Sequence, residues 1–376
     1  MRNANIITVD TIFRDEFSYS SHPHVAVTKG GAVLIVFNQT RRRPYILHPP
    51  HDPEYRNVIV RSADSGATWS VPEVVPGYQF HGTECASLTV LKNGTILLNQ
   101  WLFRWYPLGR ARRMPPPELG LNFPDDFLRE LLDSGELTTG GEIAHAPEKL
   151  VPWARGHGET WVHRSDDDGR SFTDSTRVET HPFHGGYGMR GAVELNDGTL
   201  LLTLNDIPEY QTIFSVKSSD GGKQWHEPIL VARKAGHLFT EAAMAQMNNG
   251  DIITAMRDDT TKFLHTCRSG DNGKTWSSPQ STRIDGYPPH LLVLSDGRLL
   301  CTTGRRQPDF SIRAALSDDG GNTWELDDVI CIRGNLPNKD LGYPATVELH
   351  DHSLLTVYYC QNEQGITGVE FTRWRI

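Results

Sequence analysis

The sequence predicts an all-β chain folded as a six-bladed β-propeller, and three observations predict it. An eight-residue turn motif, Ser-x-Asp-x-Gly-x-(Thr/Ser/Gln)-(Trp/Phe), occurs at Ser62–Trp69, Ser165–Phe172, Ser218–Trp225, Ser269–Trp276 and Ser317–Trp324. These five starts lie 103, 53, 51 and 48 residues apart, a period near 50 with one doubled gap. Short β-rich runs follow a Gly-containing or similar polar turn six times, as though each unit opened with a hairpin. Two hairpins make a four-stranded sheet, and six such sheets make a propeller.

Each position of the motif has a mechanical role. Ser and Asp are short acceptors that can bond backbone N–H groups inside their own turn. Gly supplies the positive φ of a tight connection, and the terminal aromatic buries a large face beside it. None of the five has the acidic triplet and distal Glu of a calcium-binding EF-hand loop, so no metal or other cofactor is expected.

The six β-rich runs start at Val33, Thr95, Thr199, Ile252, Leu299 and Leu354, after turns containing Gly31, Gly94, Gly198, Gly250, Gly297 and His352. Each precedes a motif hairpin except at the chain end and in the second unit, where the doubled gap falls. An insertion at about 101–159 shares that gap. It holds Met114-Pro115-Pro116-Pro117 and then an amphipathic run from Asp125 to Leu132, with an acidic first turn. Long loops in compact domains tend to be functional, so the insertion reads as a lid on one propeller domain spanning 1–376.

Composition narrows the function classes. With 38% hydrophobic against 22% charged residues in 376, a sizeable core is available. A net charge of −9 argues against nucleic acid, and Arg41-Arg42-Arg43 is too short a run to reverse that. Five widely spaced cysteines without a Cys-x-x-Cys pair indicate neither a zinc site nor a disulfide framework. No apolar run approaches membrane-spanning length, and no secretory h-region opens the chain. A cytoplasmic protein is expected, or a secreted one if a leader has been trimmed, and homo-oligomerisation stays open.

In a propeller the innermost strands line a central channel, so residues at their starts converge on one end of it. Stepping back eight to ten positions from each turn residue reaches His22, Glu84, Cys85, Arg190, Glu241, Tyr287 and Tyr343, with His290 close by. Ionisable groups are unusual at the opening of a strand. His22, Glu84, Arg190, Glu241 and Tyr343 are therefore expected to face a common axis.

The motifs and the blade count resemble the Asp-box propellers of the sialidase (neuraminidase) superfamily over nearly the whole chain outside the insertion. That resemblance implies a glycoside hydrolase with a Tyr nucleophile assisted by Glu, an Asp general acid, and three Arg holding the substrate carboxylate. The segment Thr240–Gly250 is similar to the one carrying the Glu, which would be Glu241, and Arg257 falls at a clamp position seven residues past Gly250. Leu341–Leu349 is similar to the nucleophile segment, which makes Tyr343 the nucleophile. Asp52, ten residues before Ser62, matches the acid. A blade-five Arg would complete the clamp, with Arg305, Arg306 and Arg313 all available.

The chemistry is coherent. A phenol with a pKa of about 10 is a weak nucleophile until a carboxylate in contact takes its proton. Sialidases are the Tyr exception to the two-carboxylate glycosidase pattern. One departure stands out. Where the family opens its first blade with Tyr/Phe-Arg-Ile-Pro, this chain has Tyr19-Ser20-Ser21-His22-Pro23-His24, so Ser21 replaces the first clamp Arg. A hydroxyl cannot replace a bidentate guanidinium. The expected substrate is thus an anionic or sialic-acid-like sugar other than ordinary sialic acid, with Arg190 or the Arg41–Arg43 run as substitutes for the lost cation. His22 and His24 suggest an alternative, a lyase using His and Tyr343 for β-elimination from a uronic acid. A noncatalytic glycan-binding propeller is the third reading.

Overall fold

The computed structural model describes residues 2–43, 47, 49–76, 82–115, 120–133, 150–184, 186–207 and 210–376. Six antiparallel meanders stand around a central axis. Their innermost strands are Ser18–Val27, Thr83–Val90, Val193–Glu194, Phe239–Gln246, His290–Val293 and Leu341–Glu348. The last blade takes its outer strand from the start of the chain, Asn5–Phe13, which pairs antiparallel with Thr367–Arg375 and closes the ring. Arg2–Asn3 adds a parallel fifth strand to the fifth blade, beside Ile330–Arg333.

The meander separates two ends of the ring. Inner-strand starts and the loops from second to third strands lie at one end, and the inner hairpin turns and Ser-x-Asp motifs lie at the other. The second blade has its motif too: Ser165–Phe172 joins Trp153–Ser165 to Asp174–Arg177, so the doubled gap is insertion alone, not a missing turn. The insertion is also shorter than expected. Ile96–Pro107 and Trp153–Ser165 pair as far as Pro107 with Trp153, so both ends of 101–159 belong to an overlong hairpin ladder. Beyond it lies a helix, Pro124–Asp133, where the acidic amphipathic run predicts one. The prolines at 116 and 117 lie outside the described residues.

All five motifs are bonded alike. The Ser hydroxyl donates to the Asp Oδ1 at 2.7–2.8 Å and accepts the Gly N–H at 2.6–2.9 Å. Each Gly has φ between 75° and 94° and packs against the second strand of the preceding blade. A Cβ on Gly273 would stand 2.6 Å from Leu201 Cδ1, and one on Gly321 2.5 Å from Ile253 Cδ1. The motif is therefore a hairpin lock and a blade-to-blade key at once.

Candidate active site

Four of the six inner strands share one irregularity. Ladder register shifts between Ser21 and His24, Glu84 and Ser87, Thr240 and Ala243, and Gly342 and Ala345. Within these bulges His22, Cys85, Glu241 and Tyr343 have φ of 53°, 37°, 53° and 50°, a left-handed conformation that is strained for any residue with a Cβ. All four stand nine positions before their turn residue. The bulges turn these side chains toward the axis at the loop-bearing end. Asparagines of the preceding blade hold two of them: Asn205 accepts from Glu241 N at 3.0 Å and Asn38 accepts from Cys85 N at 3.0 Å.

Tyr343 donates its phenolic O–H to Glu241 Oε1, and Arg257 Nη1 donates to Glu241 Oε2 at 2.9 Å. Asp259 bonds the other edge of the Arg257 guanidinium at 2.8 Å. Burial alone would raise the Glu241 pKa. Arg257, the Tyr343 phenol and Arg306 together pull it below the ordinary carboxylate value. Burial and Glu241 hold the Tyr343 phenol well above its usual value, so the proton rests on oxygen and points at a base. The ion pair that would weaken a catalytic reading of Glu241 is thus present, together with the phenol contact that supports one. The two bonds use different carboxylate oxygens.

Cations and aromatic rings surround this chain. Arg257 lies over the Tyr287 ring at 4.1 Å, and Arg306 lies 5.6 Å from Tyr287 and 5.5 Å from Tyr343. Arg306 donates to Leu341 O at 2.8 Å and Tyr359 Oη at 3.0 Å. His22 meets Tyr343 edge-on at 4.0 Å and stacks on Tyr359 at 5.3 Å, while Ser21 Oγ holds its Nδ1 at 2.6 Å. Glu84 is buried close to Glu241, and burial and that charge push it up to about 8, with Arg155 opposing. Among the described residues no hydrogen bond ties its carboxyl. Leu128 of the insertion helix, Trp101, Tyr187, Cys85 and Tyr343 share one apolar cluster, which ties the insertion to the site.

A family model described as a BNR repeat-like domain matches residues 146–358, more than half of the chain. The chain belongs to this family. This BNR propeller has the six-bladed fold of the sialidase superfamily. It is similar over the whole of both chains to a protein of unknown function from Dyadobacter fermentans DSM 18053, at 23% identity and a TM-score of 0.82. The K499G mutant of NanB sialidase from Streptococcus pneumoniae matches 99% of this chain and 71% of its own, at 15% identity and 0.68. The intramolecular trans-sialidase from Ruminococcus gnavus, solved with oseltamivir carboxylate, matches 99% and 98%, at 15% identity and 0.66. Among curated proteins, no sequence match to the chain was found. The shared architecture is a glycoside-hydrolase-type fold.

Other residues expected at the site of this BNR propeller lie elsewhere. Arg313 is on the third strand of its blade, away from the axis, where it bonds Ser311 Oγ at 2.8 Å beside Asp309 and Cys331. Arg305 pairs with Asp285, which leaves Arg306 as the blade-five cation beside Tyr343. Arg190 runs beneath the cluster, its Nε and Nη2 donating to Pro289 O and Pro344 O at 2.9 and 3.0 Å. Those bonds leave the rest of its guanidinium in the channel cavity it lines with His24 and His290. His24 lies past the bulge, down the channel, 5.6 Å from His290. Asp52 is buried in an adjoining cavity of about 190 Å³ with Tyr19 and Tyr55. There Arg43, Thr40 Oγ1 (3.1 Å) and Glu54 N (3.0 Å) occupy both its oxygens.

A second ring of positions went unread in the sequence apart from one member. Seven residues after each turn residue stand Asn38, Trp101, Asn205, Arg257, Gly304 and Tyr359. These sit on the second strands, and Asn38, Asn205, Gly304 and Tyr359 touch the bulge of the next blade, as Gly304 does where a Cβ would meet Gly342 Cα at 2.8 Å. Arg257 came from the resemblance, and the same count finds the other five. Away from the site, His237, Asp258 and His265 bring potential metal-ligand atoms within 4.8 Å of one another. Hydrogen bonding accounts for this trio: Asp258 accepts from His237 Nδ1 (2.8 Å), Thr261 Oγ1 (2.6 Å) and Thr260 N (3.0 Å), which fixes the turn after its strand.

Proposed function

We propose that this BNR propeller is an exo-acting glycoside hydrolase of an anionic or sialic-acid-like sugar, with Tyr343 as nucleophile. The observation that carries the reading is the buried chain from the Tyr343 phenol through Glu241 to Arg257. As the phenolic oxygen bonds to the anomeric carbon, its proton passes to Glu241, and the glycosidic C–O bond breaks. A neutral phenol also avoids the repulsion that a carboxylate nucleophile would meet at an anionic substrate. The leaving oxygen needs a proton. Glu84, raised to about 8, still carries one at neutral pH, whereas Asp52 has both oxygens engaged. Water activated by the Glu84 carboxylate then attacks the anomeric carbon and releases the sugar from its aryl glycosidic bond to Tyr343, which recovers its proton from Glu241. Arg257 and Arg306 face the substrate anion. With Ser21 in place of a third Arg, a substrate whose anionic group needs only two cations fits better than one requiring the full clamp.

The test is a screen of aryl glycosides of anionic sugars with wild type, Tyr343→Phe, Glu84→Gln and Asp52→Asn. The proposal requires Tyr343→Phe to lose turnover on the best substrate. It further requires Glu84→Gln to recover toward wild type as the aryl leaving group becomes more acidic, a recovery that Asp52→Asn lacks. Equal turnover by wild type and Tyr343→Phe would sink it. The contact of His22 with Tyr343 favours a second reading, β-elimination from a uronate, which would reveal itself as an ultraviolet-absorbing unsaturated product.

A further inference from the structure

Beneath the Tyr343–Glu241 cluster the channel opens into a cavity of about 290 Å³, lined by the inner strands of all six blades. Its polar lining is unusual in sign. Leu88 N donates to His24 Nδ1 at 3.2 Å, and Thr346 N donates to His290 Nδ1 at 3.4 Å. A ring nitrogen that accepts an N–H carries no proton, so each neutral imidazole keeps its proton on Nε2 and presents a donor there. Neither Nε2 has a partner among the described residues. Arg190 lines the same cavity, 3% exposed, and forms no ion pair among the described residues; its bonds to Pro289 O and Pro344 O go to neutral carbonyls. The carboxylate that acts on it most, Glu241, is already shared by Tyr343 and Arg257.

A buried cation balanced only by carbonyls, beside two imidazole donors, is a site short of negative charge. We propose that the central channel binds a small inorganic anion, held by Arg190 and by the Nε2–H groups of His24 and His290. The ring centroids of the two histidines are 5.6 Å apart, a gap that one small anion bridges. Burial and the Arg190 charge hold His24 down to about 3 and push His290 well below its usual value, so both are neutral donors rather than competing cations. The same tautomers exclude a metal ion, because Nε2 offers no lone pair and Arg190 repels a cation. Water could accept from the imidazoles but would leave the guanidinium unneutralised.

This site is independent of the proposed hydrolysis and is read without substrate. Thermal unfolding of the full chain is followed in chloride, bromide and sulfate against gluconate at fixed ionic strength, and bromide-soaked crystals are measured at the bromine edge. The expected result is a saturable rise in melting temperature with the small anions and an anomalous peak between the two imidazoles. His24→Gln and His290→Gln should each weaken half-saturation about tenfold, the equivalent of about 1.4 kcal/mol. If both variants fail to fold, the wild-type bromide map decides alone. Identical melting in all salts with no bromide peak, or an effect of zinc or a chelator in place of the anions, would overturn the assignment.

Discussion

Asn205→Ala tests whether the left-handed bulge is what aims Glu241. Asn205 is 2% exposed, accepts from Glu241 N at 3.0 Å and donates to Phe239 O at 2.9 Å. Truncation leaves one N–H and one carbonyl without partners, at about 1–3 kcal/mol each. It also frees Glu241 to leave a conformation that costs a non-glycine residue about 1–2 kcal/mol, which recovers part of the loss. A net destabilisation of about 2–4 kcal/mol follows, or about 2.5–5 °C at roughly 1.3 °C per kcal/mol for a chain of this size. Thermal unfolding by calorimetry measures it. Asn38→Ala is the companion test, because Asn38 makes the same two kinds of bond, to Cys85 N at 3.0 Å and Thr83 O at 3.3 Å, and one more, donated to Asn57 Oδ1 at 2.6 Å. Asn38→Ala should lose at least as much stability, and both variants should lose turnover on the screen's best substrate by tenfold or more, about 1.4 kcal/mol, Asn205→Ala through Glu241 and Asn38→Ala through Glu84, which the two residues bonded by Asn38 flank. A melting temperature within 1 °C of wild type for Asn205→Ala would refute the bulge argument, by the same scale.

Other expectations follow from the same geometry. Tyr343→Phe removes the nucleophile and should lower turnover at least a hundredfold, or about 2.7 kcal/mol, without a comparable loss of melting temperature. The pH profile of kcat/KM should fall on the alkaline side near pH 8, where Glu84 loses its proton, and Glu84→Gln should remove that limb. The stability linked to Glu84 has the same sign: its folded value lies above its unfolded one, so stability is full below the unfolded value and is lost as pH rises through about 8. Urea unfolding at pH 9 should therefore find Glu84→Gln more stable than wild type. Gly273→Ala forces a Cβ to within 2.6 Å of Leu201 at φ 80° and should cost about 1–3 kcal/mol by denaturant titration, with Gly250→Ala, whose Cβ meets nothing, costing less.

The architecture was legible because its signals are local and repeated. A Ser, an Asp and a Gly bonded within one turn need nothing from the rest of the chain, and counting their period gives the blades. Tyr343 and Glu241 could be found by counting back from those turns. Glu84 shows where counting fails. Strand side chains alternate between faces, so steps of eight and ten reach one face and nine the other, and a bulge then breaks the alternation. Nine is the step that meets the axis, and in the second blade it falls on Cys85, with Glu84 brought in beside it. His24 is two residues past His22, which in a regular strand would share its direction; the bulge between them sends one to the site and the other down the channel. Arg313 could be excluded only by knowing that its strand is third from the axis.

The glycine keys at the motif end bear on how the ring comes apart. In a linear array of repeats each unit has a free neighbour at the ends, where fraying begins. Here the Gly66 of the first blade seats against Leu355 of the sixth, as Gly169 seats on Leu34 and Gly222 on Leu97. Five keys join five of the six interfaces, and the apolar packing of Leu341, Leu354 and Tyr358 on Leu300 and Ile312 joins the sixth, so nearest-neighbour coupling runs around a closed circuit. No blade is terminal, and loosening any one of them exposes two interfaces at once, which favours loss of the whole ring in one cooperative event over peeling blade by blade.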